Sequence, residues 1–271
     1  MLIFDLKILE GKKILITRPI EQSQSWAEEL QNIGAEVHIY PLIKIVSLVD
    51  SSEIKQTLQE LETFDWLVFT STNGVSSFFE ACGKHFSGNV YMEKLPKMAT
   101  VGPATTEELA KFKLQPQITP QRFTGNDLAA AFGDVKGLKI LFPTTTIFRE
   151  DLSGQLAKRG ADLHKIPFYD TQFTPIEEAG KLSEIINKGV DIVTFASPSA
   201  VRSFHEKMLA ADIKMKEILL ACIGPATSAE ARKVGFAVDI EAENFTTGGL
   251  TEAIIKHYES VKKQAAPSAR E

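Results

Sequence analysis

Two hydroxyl-bearing turns occur twice in this chain. Phe69-Thr70-Ser71-Thr72-Asn73-Gly74-Val75 returns as Phe195-Ala196-Ser197-Pro198-Ser199-Ala200-Val201. Val101-Gly102-Pro103-Ala104-Thr105 returns as Ile223-Gly224-Pro225-Ala226-Thr227, and Phe123-Thr124 as Phe245-Thr246. The first two turns each follow a short apolar run and precede an amphipathic one. That is the signature of a strand end leading into a helix start. The first amides of a helix lack intrahelical acceptors, and the helix dipole is positive there. A carboxylate or phosphate can be held at such a turn without a lysine. The same residues also have a local reading. Thr105 with Glu108, and Thr227 with Glu230, have the spacing of capping boxes. Ser197 before Pro198 reads as an N-cap with proline at the first helical position. Capping and binding can coexist, with hydroxyls capping while amides face a ligand.

Three single residues add to this set. Arg18 follows the first strand in Ile16-Thr17-Arg18-Pro19, where it could pair with an anion or stand as a solvated strand-end charge. Arg149 has the same two readings after the Leu141-Phe142-Pro143 strand. Tyr169, in Pro167-Phe168-Tyr169-Asp170-Thr171, could give a proton to a leaving group or be an ordinary tyrosine with a wet hydroxyl. The chain has no Gly-x-Gly-x-x-Gly after a strand and no P-loop, so dinucleotide and NTP binding are unsupported. His38, His85, His164, His205 and His257 form no metal-ligand spacing, and no metal site is expected. His38 and His164 are repeat-matched strand positions, which structure explains better than catalysis. No Ser-His-Asp or Cys-His set is visible.

The elements that must carry these turns follow the repeat. Gly11–Ile16 matches Gly137–Phe142, and Leu30, Gly34, Ala35, His38 and Pro41 match Leu156, Gly160, Ala161, His164 and Pro167. The offset is 126 at Ser71 and Ser197 and 122 at Gly102 and Gly224, so the first copy holds extra residues between them, placed in a loop near Gly83–Lys94. Strands are predicted at 13–17, 36–40, 65–70, 98–101 and 116–119, then at 139–142, 162–166, 191–195, 219–223 and 237–240. Helical patterns lie between them, at Glu21–Ile33, Gly74–Cys82, Thr105–Phe112, Asn126–Phe132 and their counterparts. This alternation implies α/β architecture with parallel sheets covered on both faces, in flavodoxin-like doubly wound lobes. Periodicity leaves two divisions open. One is a tandem split near Lys136. The other is an exchange, in which strands 1, 2, 8, 9 and 10 make one lobe and strands 3–7 the other. Ile39–Leu48 and Ile166–Phe173, extended and at matched positions, favour the exchange as a two-stranded ribbon.

The totals bound the function class. At 271 residues, 44% apolar and 24% charged, the chain suits two ordinary domains. A net charge of −5 argues against nucleic-acid binding through bulk positive charge. No apolar run is long enough to span a bilayer, and Met1–Lys7 lacks a signal-peptide core. Cys82 and Cys222, at unmatched positions, read as reduced thiols, and the expected location is cytoplasmic. Nothing marks an oligomer, so a monomer is expected. The polar tail from Ser260 to Glu271 is expected to fray.

Taken in order, the serine loops, both Gly-Pro-Ala-Thr turns, both Phe-Thr segments and the Pro-Phe-Tyr-Asp-Thr ribbon resemble the uroporphyrinogen-III synthase family, from about Gly11 to Tyr258. The resemblance implies the exchanged topology, with lobe one at 1–41 plus 170–271, lobe two at 42–169, and an active-site cleft between them. It implies conversion of hydroxymethylbilane, a linear tetrapyrrole, into uroporphyrinogen III without metal or organic cofactor. The substrate could pass directly from hydroxymethylbilane synthase. Thr70, Ser71, Gly102, Thr105, Ser197, Gly224 and Thr227 match family cleft positions, and Tyr169 matches the tyrosine proposed to help hydroxide leave. Arg18, Asn73, Thr124 and Ser199 complete the substrate-binding candidates. One departure is the stretch Phe142-Pro143-Thr144-Thr145-Thr146-Ile147-Phe148-Arg149, where bacterial members commonly carry an Arg-Gly-rich turn. A non-enzymatic two-lobe binder of a small anion, or a regulatory protein on the same fold, is the alternative.

Overall fold

The computed structural model describes residues 7–86, 90–146, 151–215 and 217–265. Arg149 lies outside them. In chain order the elements are β1 (Lys13–Ile16), α1 (Gln24–Asn32), β2 (Glu36–Ile39), β3 (Ile43–Ser47), α2 (Ser52–Gln59), β4 (Trp66–Phe69) and α3 (Thr72–His85). Then come β5 (Lys97–Thr100), α4 (Pro103–Ala110), α5 (Gly125–Ala131), β6 (Lys139–Thr145), α6 (Asp151–Lys158) and β7 (Asp162–Phe173). The chain ends with α7 (Ala179–Asn187), β8 (Ile192–Phe195), α8 (Pro198–Ala210), β9 (Leu219–Cys222), α9 (Pro225–Lys233), β10 (Ile240–Glu241) and α10 (Thr247–Ala265).

The chain forms two compact units, Met1–Lys44 with Gln172–Glu271, and Ile45–Thr171. The first unit's sheet runs β2-β1-β8-β9-β10, the flavodoxin-like doubly wound order. The second sheet runs β3-β7-β6-β4-β5, the same winding from a different starting strand, with β3 added at one edge. Each sheet therefore takes strands from both copies of the repeat. The copies in sequence are not the units in space.

Strand alternation explains why each sheet is covered on both faces. Ile14 and Ile16 enter one core of the first unit, with Trp26 and Leu30 of α1 and Ile254 of α10. Leu15, between them, enters the opposite core, with Leu182 of α7 and Phe204 of α8. In the second unit Leu67 and Phe69 face one core and Val68 the other. Successive side chains point to opposite faces, so an unbroken apolar run is what a central parallel strand requires. Ile8 and Leu9 precede β1 and join the first of these cores, so the segment before Gly11 packs on that unit from there onward. Gly34 and Gly160 close α1 and α6 at φ +97° and +87°, a left-handed conformation in which a side chain is strained.

The strands at β3 and β7 run antiparallel. Leu48 donates to Phe168 O at 3.0 Å and Thr174 to Leu42 O at 3.1 Å. Both crossings between units fall inside this ribbon, at Lys44–Ile45 and Thr171–Gln172.

Four expectations need correction. Residues 116–119 form a single bridge, Ala99 with Ile118, and no strand. Pro116 and Pro120 lack amide donors, and the Gln117 side chain takes the ladder position by accepting from Met98 N at 2.6 Å. The counterpart at 237–240 shrinks to the two-residue β10. The capping boxes at Thr105 and Thr227 are absent. Gly102 and Gly224 are the N-caps, each followed by proline, and Thr105 and Thr227 are buried in the first helical turn. The segment Gly83–Lys94 is not wholly loop, because α3 runs to His85 and a short 3-10 turn occupies Val90–Lys94.

Candidate functional site

In doubly wound sheets the ligand crevice lies at the carboxyl ends of the strands flanking the reversal of strand order. In the second unit those strands are β4 and β6, which lead to Ser71 and Thr145. Ser71 is in extended conformation and caps α3, its Oγ accepting from Gly74 N at 3.0 Å. Gly74 lets α3 sit this close to β6. A Cβ there would come 2.8 Å from Pro143 O.

Tyr169 meets Ser71 at this place. The two hydroxyl oxygens are 2.9 Å apart. The approach depends on an irregularity in the ladder between β6 and β7. Thr144 pairs with Pro167 but Thr145 pairs with Tyr169, so Phe168 is an extra residue on β7. Regular alternation would send neighbouring side chains to opposite faces of the sheet. With the bulge, both Phe168 and Tyr169 are buried. Burial raises the Tyr169 phenol above its ordinary range, and the Ser71 hydrogen bond acts the other way. A phenol shifted upward in this way is neutral near pH 7. Next to it, Thr146 Oγ1 donates to Asp170 Oδ1.

Thr70 follows β4 and is half-buried, and Asn73 is half-buried in the first turn of α3. The Gly102 turn is adjacent, since Val101 N donates to Phe69 O at 3.1 Å. Thr124 caps α5, accepting from Asp127 N at 3.1 Å. It is brought to the Gly102 turn by its neighbour Phe123. A Cβ on Gly102 would lie 3.1 Å from Phe123 Cβ. Glu108 accepts from Ser76 Oγ at 2.8 Å and so ties α4 to α3.

The first unit repeats this construction around β1 and β8. Thr17 Oγ1 donates to Thr194 O at 2.6 Å, and Thr194 Oγ1 to Leu15 O at 3.0 Å. Ser197 caps α8 through Ala200 N at 3.2 Å, and its Oγ is 3.1 Å from that of Ser199. Arg18 is half-buried beyond β1, with Nη2 donating to Gln22 Oε1 at 3.1 Å. Ile223 N donates to Phe195 O at 2.9 Å, so the Gly224 turn again lies beside the serine loop. Phe245 packs on Gly224, where a Cβ would come 2.7 Å from its ring. Thr246 accepts from Gly249 N at 3.0 Å, as Thr124 does from Asp127 N. Glu230 reaches Arg202 of α8 at 3.4 Å, the counterpart of the Glu108–Ser76 tie.

Each unit thus carries one serine loop and one glycine turn side by side, and the second adds Tyr169. Sequence reasoning missed three contributors. Gly74 is set by a backbone approach that no motif announces. The partnership of Phe with Gly had a signal, because Gly102 and Phe123 recur as Gly224 and Phe245 at the same separation. Lys207 had none. It is buried in α8, and its Nζ donates to Thr174 O at 3.0 Å and to Pro175 O. Ser203, one turn earlier, donates to Leu42 O at 2.7 Å. The helix that begins at Ser197 therefore holds the strand ends next to both crossings. Among the described residues no group of histidines, cysteines and acids could hold a metal ion. No described helix is long and apolar enough to cross a membrane.

The family model for uroporphyrinogen-III synthase HemD matches residues 24–252. A porphyrin biosynthesis protein HemD from Ruminiclostridium josui is 29% identical over 93% of the chain, which spans 50% of that longer protein. A uroporphyrinogen-III synthase from Synechococcus elongatus is 27% identical over 91% of the chain and 95% of its own length. The crystal structure of a mutant uroporphyrinogen III synthase from Thermus thermophilus covers 93% of the chain and 100% of its own, with a TM-score of 0.65 at 16% identity, and so shares the fold. The chain belongs to the uroporphyrinogen-III synthase family, the cyclising hydro-lyases of porphyrin biosynthesis.

Proposed function

We propose that this chain closes hydroxymethylbilane to uroporphyrinogen III, with Tyr169 as the acid and the paired helix starts as anchors. The observation that carries this reading is the 2.9 Å contact between Ser71 and Tyr169 at the reversal point of the second sheet. The bilane bears an acetate and a propionate on each pyrrole. The loops at Ser71, Gly102, Ser197 and Gly224, with Arg18, supply amides, hydroxyls and one guanidinium for these acids.

In the chemical step, the ring A hydroxymethyl carbon loses its oxygen with the bonding pair. Tyr169 gives that oxygen a proton, and water departs. The pyrrole nitrogen supplies electrons to form an azafulvene. The substituted carbon of ring D attacks it, giving a spiro intermediate. This opens and recloses at the other ring D carbon, and the proton lost on rearomatisation restores Tyr169. Ser71 has a matching double role. It accepts from the neutral phenol, then donates to the phenolate while Gly74 N donates to Ser71 Oγ. Because the bilane closes unaided to the uninverted isomer I, the protein's main task is to impose a conformation.

The same reading places the protein in the cytoplasm as a monomer, receiving its short-lived substrate from hydroxymethylbilane synthase. The buried free thiols Cys82 and Cys222 support a reducing compartment. The test is direct. Freshly made hydroxymethylbilane is incubated with the protein, and the products are oxidised and resolved. Isomer III above the unaided background is expected, and isomer I alone at the no-enzyme rate overturns the proposal.

A further inference from the structure

Glu108 has a place in this fold that its spacing from Thr105 did not announce. Gly102 caps α4 without a side-chain bond, so Glu108 has no part in starting its own helix. It reaches α3 instead. Its Oε1 accepts from Ser76 Oγ at 2.8 Å, and the Glu108 side chain is only 18% exposed. The Ser76 hydroxyl has one proton and a second acceptor in its own helix, Thr72 O at 3.2 Å. The nearer acceptor is the carboxylate on the neighbouring helix. Both residues sit in the second turn of their helices, roughly 8 Å along the axis from each helix start. Farther along, Phe79 of α3 stacks on Phe112 just beyond α4, with ring centroids 4.2 Å apart. Such an apolar contact holds two helices together without fixing how far one slides past the other. A hydrogen bond fixes both distance and direction. The tie recurs in the other unit with a different partner. Glu230, at the repeat position of Glu108, reaches Arg202, at the repeat position of Ser76, at 3.4 Å. What is kept is the link between the two helices, not the residue pair.

We propose that Glu108 is a positioning residue for the synthase reaction. By holding Ser76 it sets the register of α3 against α4, and with it the distance between the Ser71 loop and the Gly102 turn. This rests on the synthase reading above. Both turns lie in one unit, and in that reading both anchor acid groups of the substrate. Two anchors act together only at the right spacing, so a small slide of one helix weakens the pair. A carboxylate this near two turns that take acids repels them. A neutral side chain would serve better there unless the tie itself is needed. Lys111 reaches Glu108 Oε2 at 2.6 Å, but Lys111 is 68% exposed, and an ion pair so placed adds little. The bond to Ser76 is what gives the acid its reason to stand between the two helices.

The test compares Glu108→Ala and Ser76→Ala, which remove the tie from either side, with Glu108→Gln, which can keep it. Lys111→Ala is the control for the exposed ion pair. Steady-state formation of isomer III from fresh hydroxymethylbilane is measured, together with thermal melting. Hydrogen exchange at the Gly74 amide, read by NMR, reports on the start of α3 without substrate. Loss of one hydrogen bond of ordinary strength predicts a rise in KM of roughly 3- to 10-fold in each alanine variant, with a smaller effect on kcat. The double variant should be no worse than either alone, because both remove the same bond. Glu108→Gln should show a KM at or below wild type, since the link stays and the negative charge goes. Lys111→Ala should match wild type. Exchange at Gly74 should quicken in the alanine variants only. Wild-type KM and exchange in both alanine variants overturn the proposal. So does a double variant with the sum of both losses. So does a rise in KM that Glu108→Gln shares and that tracks lost melting temperature, which would make the tie structural only. Ser76 is exposed, so Ser76→Ala removes the bond without disturbing packing even where Glu108→Ala does not fold. If the wild-type protein makes only isomer I, the synthase reading fails, and exchange at Gly74 still decides separately whether Glu108 holds α3.

Discussion

Ser71 and Tyr169 are separated by most of the second unit's sequence, yet their hydroxyl oxygens lie 2.9 Å apart. Two local devices bring them together. Ser71 is fixed by capping α3, and Tyr169 is turned inward by the extra residue on β7. The phenol is buried and its pKa raised, with the serine bond acting in the opposite direction. A hydroxyl already anchored to a helix-start amide is a good partner for a phenolate, since it does not have to be ordered during the reaction.

Removing either hydroxyl should therefore slow the chemistry without unfolding the protein. Tyr169→Phe is expected to lower kcat about 100-fold or more, the usual range for a lost general acid. Ser71→Ala should cost about tenfold, and Ser71→Thr should retain most activity because the hydroxyl remains. Single-turnover formation of isomer III measures both, and full activity in Tyr169→Phe removes the tyrosine from the mechanism.

Gly74 tests whether the approach of α3 to β6 matters. A Cβ at 2.8 Å from Pro143 O meets rigid backbone, so Gly74→Ala has to move the helix start. The expected loss is about 1–3 kcal/mol, accompanied by reduced activity. Gly83→Ala in the same helix is the control, since nothing lies within 4 Å of its added Cβ. It should be neutral or stabilising by up to ~1 kcal/mol. Urea unfolding of the two variants gives the comparison.

Much of this fold could be read from spacing. Runs such as Ile14-Leu15-Ile16 and Ile192-Val193 can be buried only on a sheet covered on both faces, which fixed the architecture class. Ser197 before Pro198 announced its own cap. The serine and glycine turns recurred because two sheets of the same winding need the same helix starts. What could not be read depended on distant partners. Thr105 and Glu108 had capping-box spacing, but proline at 103 started the helix earlier and buried the threonine. Ile118 looked like a strand, but two flanking prolines left it a single bridge. The bulge at Phe168 is set by how β7 registers on β6, and nothing local encodes it.

Lys207 offers a test of how α8 holds the ribbon ends. Its ammonium is buried and donates to the carbonyls of Thr174 and Pro175. Burial lowers its pKa, while Glu178, Glu177 and Glu206 act to raise it. Lys207→Met fills similar space but leaves two carbonyls without this donor, at a cost of roughly 1–3 kcal/mol. Ser203→Ala, which loses the bond to Leu42 O, should cost about 1 kcal/mol. Denaturant unfolding measures both, and a Lys207→Met variant as stable as wild type shows that the buried ammonium adds nothing net.

Alkaline stability should fall in two stages. Burial raises the thiols from 9.0, Cys222 to about 11 and Cys82 to about 12. Burial also raises Tyr40 and Tyr258 from 10.0 to about 12. In each case the folded protein holds the proton more tightly than the unfolded chain. The stability these groups contribute is therefore complete below the unfolded pKa and is lost as pH rises through the folded one. Loss should begin near pH 9 with the thiols and steepen above pH 10 as the phenols join. Each group contributes at most about 1.4 kcal/mol per pH unit within its window. Urea unfolding between neutral and strongly alkaline pH, under reducing conditions, should show this profile. A Cys82→Ala, Cys222→Ala double variant is less stable at neutral pH because methyl groups replace buried thiols. It should nevertheless lose the first stage and keep the second, whereas Tyr40→Phe should weaken only the second. An unchanged first stage in the double variant would assign the early loss to groups other than these thiols.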